Sequence, residues 1–366
     1  MSFHSFSRAL ACAIAVVILF ALSTVPAGAQ ITVKNEDVTF KFGILGQLWG
    51  DWTQDSTSGV QGYQQNLYIR RARLIMGGDI GKDISFFFET DDPNLGKTPK
   101  ALTSGFIIQD AFLQWKPTKF FQPNGGMMFV PFSRNQMQSP SSYYTVDISS
   151  MATVDNSSTQ SAGLRDVGFG ANGFFLKDHL LYRAGIFQGE RDANARDSLR
   201  TSAYLQYDFF DTETGYAYTG TALGKKKILA IDVGGEKQGQ FRGLSANIAC
   251  DEPVNGGDEI GGQFQWYHYD GRQKFTAIAD QNDWFVEGAY YVHQAKTQPF
   301  VKFEEQNFVA AANATKDIHR VGTGVNYYVR GQNLKWTLQY NRLFPQNGSP
   351  LKASNEVTMQ LQLFYF

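Results

Sequence analysis

The chain is poor in cysteine, in long apolar runs and in net charge. Of its 366 residues only Cys12 and Cys250 are cysteines. Cys12 falls in an N-terminal segment that reads as a removable leader, so the mature chain keeps one thiol and a disulfide scaffold is excluded. Past that leader no run of about 18 apolar residues occurs, which excludes a further membrane-spanning helix. The expected mature chain carries 32 basic and 34 acidic residues. Such a balance gives no reason to expect nucleic acid as a partner.

Catalytic and cofactor signatures are also missing. His179, His268, His293 and His319 are scattered, with no H-E-x-x-H and no Cys/His spacing for zinc. No G-x-S-x-G elbow is present. Gly168-Phe-Gly170-Ala-Asn-Gly173 fits a dinucleotide fingerprint in letters, but its glycines alternate with Val167, Phe169 and Ala171 as in a strand, with no helix to open. Gly256-Gly257-Asp258-Glu259-Ile260 reads as a turn entering a strand. Glu89, Asp91 and Asp92 stand close before Pro93; a solvated acidic loop is the favoured reading and a divalent-cation site the competing one. The expectation is no metal, no cofactor and no enzyme.

What is present begins with the leader. Arg8 precedes the apolar stretch Ala9 to Leu22, and Pro26 precedes the small-residue site Ala27-Gly28-Ala29. Cleavage before Gln30 follows, giving a signal peptide over 1–29 and a mature domain over 30–366. A retained anchor is the competing reading; the cleavage site and the polar sequence after it argue for removal.

Aromatic residues make up 14% of the chain and glycine accounts for 36 residues. Period-two alternation is pervasive, as strands with one apolar and one wet face require. Val38, Phe40, Phe42, Ile44, Leu48 and Trp52 share one face, with Thr39, Lys41, Gln47 and Asp51 on the other. From Asn66 to Gly78, Tyr68, Ala72, Leu74 and Met76 alternate against Arg71 and Arg73. Ala111, Leu113 and Trp115 alternate with Asp110 and Gln114; Gly126 to Phe132 follows as a strand. Leu199 to Phe209 sets Arg200, Gln206 and Asp208 opposite its apolar face. Asp211 to Lys227 reads as a connector, with weaker strands at Ile228 to Gly234 and Leu244 to Cys250. Long polar loops alternate with short turns, and helical periodicity is absent. About sixteen strands in this rhythm predict an all-β, antiparallel transmembrane barrel. A soluble sandwich would need domain linkers, and none is found.

Two stretches frame that barrel. Ser133 to Leu164 is the one long interruption, with Pro140 and the pair Tyr143-Tyr144; structureless loops of this length are usually functional. Asn355 to Phe366 closes the chain with Val357, Met359, Leu361, Leu363 and Tyr365 on one face. It is expected to pair with Val38 to Trp52 so that no sheet edge faces lipid. Phe366 falls out of phase, which implies a bulge near Leu363-Phe364 or a turn back into the membrane interface.

Several segments resemble the phosphate-selective porin O and P family. They are Ile69-Arg70-Arg71-Ala72-Arg73-Leu74, Gln109-Asp110-Ala111-Phe112, Phe129-Val130-Pro131-Phe132-Ser133, Arg165-Asp166-Val167-Gly168 and Tyr182 to Gly189, in the family's order. The resemblance implies a trimeric, sixteen-stranded outer-membrane channel whose loop after the fifth strand folds inward as a constriction. Here that loop is 133–164, with Tyr143, Tyr144, Asp147 and Asp155 in it. The family motif falls on Pro131, Phe132, Arg165, Asp166 and Gly168. Basic residues line the anion path in phosphate-selective members. This chain departs in having no lysine between Lys119 and Lys177, so its path would rest on Arg71, Arg73, Arg134 and Arg165, with Asp110 beside them.

For Arg71 and Arg73 two readings stay open: guiding ions, or bracing the wall by pairing with acids such as Asp110. The expected activity is passive diffusion of small hydrophilic solutes, with anions and phosphate foremost. The expected partners are outer-membrane lipid, the barrel-assembly machinery acting on the C-terminal strand, and two further copies of the chain. The rival is a plugged barrel serving as an enzyme, adhesin or assembly scaffold.

Overall fold

In the computed structural model, which describes residues 31–366 except 36, 58–61, 104 and 347, each alternating segment becomes a strand. The leader expected over 1–29 lies outside the described residues. After a short β1 (Ile31–Lys34) come β2 (Val38–Thr53), β3 (Gln64–Ile80), β4 (Ile84–Asp91), β5 (Ile107–Trp115) and β6 (Gln122–Phe129). Next are β7 (Arg165–Phe175), β8 (Leu180–Phe187), β9 (Arg200–Asp208), β10 (Ile228–Gln238), β11 (Phe241–Pro253) and β12 (Glu259–Asp270). The last are β13 (Gln281–Tyr291), β14 (Thr297–Phe308), β15 (Ile318–Tyr328), β16 (Leu334–Pro345) and β17 (Ser354–Tyr365).

Every neighbouring pair from β2 to β17 is antiparallel, and β17 returns to β2 from Glu356 opposite Thr53 to Tyr365 opposite Ile44. The result is a closed barrel of sixteen strands, with every ladder hydrogen bond made inside the sheet, as a hydrocarbon surround demands. The remaining edge of β2 is taken by β1, where Ile31–Lys34 pair with Phe42–Thr39. The expected partner of Val38–Phe42, the closing strand, is therefore replaced by β1 over Thr39–Phe42. Pairing along β17 is unbroken, so the bulge expected near Leu363 is absent. Phe366 instead meets Phe87 edge-on at the inner mouth, ring centroids 5.6 Å apart.

The two faces separate by polarity. Leu74, Phe169, Leu244 and Leu338 are exposed outside, while Gln47, Gln265, Gln360 and Gln362 are buried inside. Leaving this apolar wall in lipid and the amides in the interior is the arrangement with the smallest desolvation cost.

Three local readings are corrected. Ile69 and Arg71 of β3 face Leu48 and Gln47 as consecutive partners, so a bulge inserts Arg70 between them. That extra residue reverses the phase: Tyr68 is buried inside against Trp49, off the outer face of Ala72 and Leu74. The strand expected through Phe132 ends at Phe129, and Val130–Phe132 belong to the loop. The weak strands of the 228–250 region are long, and Gly239-Gln240 alone joins β10 to β11.

The connections define two rims. The near rim holds the chain's end and mostly short turns; the far rim holds most of the long loops. The exception at the near rim is 209–227, the β9–β10 connection.

Candidate functional site: the occupied lumen

Loop 130–164 lies inside the barrel, not above it. Its first residues are seated on β9 to β11: Ser202 donates to the Pro131 carbonyl and Ser245 to that of Phe132, both at 2.6 Å. Gly234 lies directly beneath, and a Cβ there would collide with the Phe132 carbonyl. The Phe132 ring is buried against Tyr267 and Tyr269 of β12. Pro131 and Phe132 therefore dock the loop.

Further along, the loop reaches the opposite wall. Gln47 of β2 donates to the Pro140 carbonyl at 3.1 Å and Gln362 of β17 to that of Ser141 at 2.8 Å. Lys335 of β16 donates to the Tyr143 carbonyl at 3.3 Å, and Asn326 of β15 to that of Tyr144 at 2.7 Å. The Tyr144 hydroxyl donates to Asp251 of β11 across Gly261, where any side chain would block it. Tyr143 and Tyr144 are buried.

Ionic contacts fix the loop at four places. Arg134 grips Glu213 of the 209–227 segment with two nitrogens, the longer bond 2.8 Å. Asp147 accepts from Arg70 at 2.9 Å and from Arg71 at 2.7 Å. Burial acts to raise the Asp147 carboxyl, but the two guanidinium groups outweigh it and hold it well below the usual carboxylate range. Asp155 accepts from Arg200 at 2.6 Å, and that arginine also binds Glu236. At the loop's end Arg165 pairs with Asp110 at 3.1 Å and lies over the Phe129 ring.

The expected lumen arginines are thus inside, but each is committed to an acid. Arg73 pairs with Glu89 at 2.6 Å and Asp91 at 2.9 Å. Glu89, Asp91 and Asp92 are buried, so the solvated acidic loop expected there is not found. No group of residues suited to a metal occurs among the described residues. Asp110 serves Arg165 and the Tyr216 hydroxyl, not Arg71 or Arg73. Asp166 accepts from the Val167 and Gly189 amides, both at 2.7 Å, and so fastens the start of the β8–β9 connection to β7. Gly168 lies in β7, where a Cβ would meet Phe187.

The sequence reading missed three things. Arg70 is turned inward by the bulge, Arg200 anchors Asp155, and segment 209–227 enters the lumen from the near rim. Tyr216 packs on Phe87, Phe112 and Phe129. Backbone bonds join Tyr218 to Met137 and Ser139 at 2.8 Å, and Thr221 to Ser142 at 3.1 Å. Two segments entering from opposite rims therefore meet in mid-barrel. Tyrosines in a polar connector, at 216 and 218, were the one available signal.

Below their junction lies a cavity of about 530 Å³, opening at the near rim. Gln114, Gln122, Asn124 and Asn172 form one hydrogen-bonded amide cluster on its wall. Its charges are Lys41, Lys116 and Arg183 against Asp79. The Arg183 guanidinium binds the Gly215 and Tyr216 carbonyls at 2.6 and 2.7 Å and no carboxylate.

Comparison with known proteins agrees with this architecture. Residues 42–227 match the sequence family described as phosphate-selective porin O and P. No curated protein sequence matches. Among solved structures, the anion-selective porin from Comamonas acidovorans superposes with a TM-score of 0.63 at 11% identity, covering 90% of this chain and 100% of that one. A Salmonella typhi OmpF complex with daunomycin gives 0.61 at 11%, covering 92% and 100%. The trimer form of in-vitro-folded OmpT, an outer-membrane protein of Vibrio cholerae, gives 0.52 at 16%, covering 90% and 100%.

Proposed function

The chain belongs to the phosphate-selective porin O and P family, and from that premise we propose an outer-membrane channel for passive diffusion of small hydrophilic solutes, anions preferred. The carrying observation is the closed barrel with an apolar exterior and an amide-lined vestibule, whose Lys41, Lys116 and Arg183 outnumber Asp79. Ordered positive charge beside a water-filled path compensates an anion that sheds part of its hydration. Arg183 supplies that charge uncancelled, since its own partners are neutral carbonyls.

In this reading Arg70, Arg71, Arg73, Arg134 and Arg165 brace rather than guide. Each is paired with an acid, Arg70 and Arg71 sharing Asp147; Arg73 braces the wall, and the others set where loop 130–164 narrows the lumen. Phosphate is one anion among those admitted, and no lysine of the loop selects it. The longer connections at the far rim support an extracellular orientation for that rim, with the chain's end facing the periplasm. Export by the leader 1–29, insertion through the C-terminal strand by the barrel-assembly machinery, and assembly as a trimer complete the proposal. The trimeric OmpT relative supports the last of these.

Purified protein in planar bilayers is expected to give discrete conductance steps, with reversal potentials in a KCl gradient that favour Cl⁻. A potential favouring K⁺ would reject the anion preference. A second reading, a plugged barrel, is favoured by the junction of 130–164 with 209–227. Absence of any conductance would decide for it.

A further inference from the structure

Two grooves meet on the outer wall over β8 to β12, and the channel reading uses neither. The first, about 610 Å³, lies at mid-wall between Tyr182, Leu205, Val233 and Trp266 and is apolar throughout. It is hollow because Ala203 and Gly235 present almost no side chain there. The second, about 500 Å³, continues it toward the far rim; both grooves are lined by Ala203, Gly235 and Leu244. Here the wall turns basic, with Lys237, Arg242 and Arg272.

Lys237 and Arg242 are direct cross-strand partners on the β10–β11 hairpin, and both are exposed. Like charges placed opposite one another destabilise a sheet. Asp270 lies opposite Arg242 on β12, yet Arg272 takes that carboxylate at 2.6 Å. No carboxylate among the described residues pairs with Lys237 or Arg242. An anion held between the two would remove the conflict.

Height on the wall identifies the anion's other end. The outward residues from Leu229 to Gly235 are apolar. The exposed Lys227 and Lys237 that bracket them are ten residues apart, roughly 25 Å of height on a tilted strand, the height of the band a barrel presents to hydrocarbon. The basic pair therefore lies at headgroup level, with the apolar groove running down from it among the acyl chains. The two-residue turn Gly239-Gln240 leaves no loop of its own above the site, whereas every other connection at that rim has eight residues or more.

We propose that this double groove binds a phosphorylated lipid of the membrane leaflet at the far rim. One acyl chain lies in the apolar groove, and the phosphate is held between Lys237 and Arg242 by charge-assisted hydrogen bonds. The proposal goes beyond the channel reading and makes no use of the lumen.

The test uses the whole protein in detergent, washed and then offered one of three probes: lipid A bearing its phosphates, phosphatidylcholine, or inorganic phosphate. Native mass spectrometry counts what is retained. Wild type is expected to keep lipid A and release phosphatidylcholine, and Lys237→Gln with Arg242→Gln to lower retention about tenfold. Ala203→Leu, which fills the groove and leaves the cations, is expected to lower it as well. Heat-modifiable gel mobility and unchanged conductance verify that each variant is folded. Equal retention of phosphatidylcholine, or of lipid A by the double variant, would overturn the proposal. So would displacement of lipid A by equimolar inorganic phosphate, which would leave a headgroup site without a lipid. Loss of the oligomer in the double variant would reassign the wall to a subunit contact and overturn it too. Failure of wild type to conduct would count against the channel alone.

Discussion

Single residues in this barrel work mainly as fasteners, and Asp147 shows how. It joins a loop to two arginines that one inserted residue turns inward, Arg70 and Arg71. Asp147→Asn is expected to cost about 1.5–3 kcal/mol, the range for a hydrogen bond to a charged group, and to raise current noise as the loop loosens. Urea unfolding in lipid vesicles and single-channel recording check the two effects. The pH dependence follows from the sign of the shift. A carboxyl held below its unfolded value gives its full stabilisation above the ordinary carboxylate range, and that contribution is lost as pH falls through the lowered folded value. The Asp147 clamp should therefore hold from neutrality through the ordinary carboxylate range near pH 4 and open only in stronger acid, read as the pH at which the current noise of wild type rises to that of Asp147→Asn. A loop released nearer pH 5 would show that the two arginines do not hold the Asp147 carboxyl below its ordinary value. Arg134→Met leaves Glu213 buried without its partner, a loss of about 3–5 kcal/mol in the same unfolding assay.

Elements repeat the lesson at larger size. Strand faces were legible in the sequence wherever period two ran undisturbed, because burying one face in lipid fixes every second residue. β17 and β16 are such cases, and so are the inward Gln206 and Asp208 of β9. Legibility ended where the pattern takes an extra residue, as at Arg70, since nothing in Ile69-Arg70-Arg71 says which residue is inserted. It ended again at 209–227, which is polar enough for a surface connector and is drawn inward by Tyr216 and Tyr218. The seats at Gly234 and Gly261 were equally hidden, because they depend on a carbonyl and a hydroxyl arriving from about a hundred residues away. Gly234→Ala is expected to lift the Phe132 end of the loop, and Tyr216→Ala to free the other segment and raise conductance. An unchanged conductance for Tyr216→Ala would place the constriction wholly in loop 130–164.

For the whole molecule, selectivity depends on charges left uncancelled, not on charges counted. Most lumen arginines are matched by acids, which leaves Arg183 as the cation with most influence on passing ions. Arg183→Gln is expected to shift the reversal potential toward zero, and Arg183→Lys to restore it. A preserved Cl⁻ preference would move the selectivity to Lys41, since Lys116 is paired with Asp79 at 3.5 Å. On gels, the trimer should appear as a heat-sensitive slow band, and a single monomer band without heating would remove the trimer from the proposal.

The seam between β17 and β2 also sets the order of events during folding. Its two sides lie some 300 residues apart, Gln47 bonding Gln362 at 2.8 Å. Contacts so distant in sequence are the slowest to form, and here they complete a ring. Until the last strand arrives, β2 and β16 each present an unpaired ladder to the bilayer, a state the membrane penalises along the whole strand. Assembly is therefore governed at its final step, and a fault in these twelve residues would be felt as absence of the barrel, not as a weaker one.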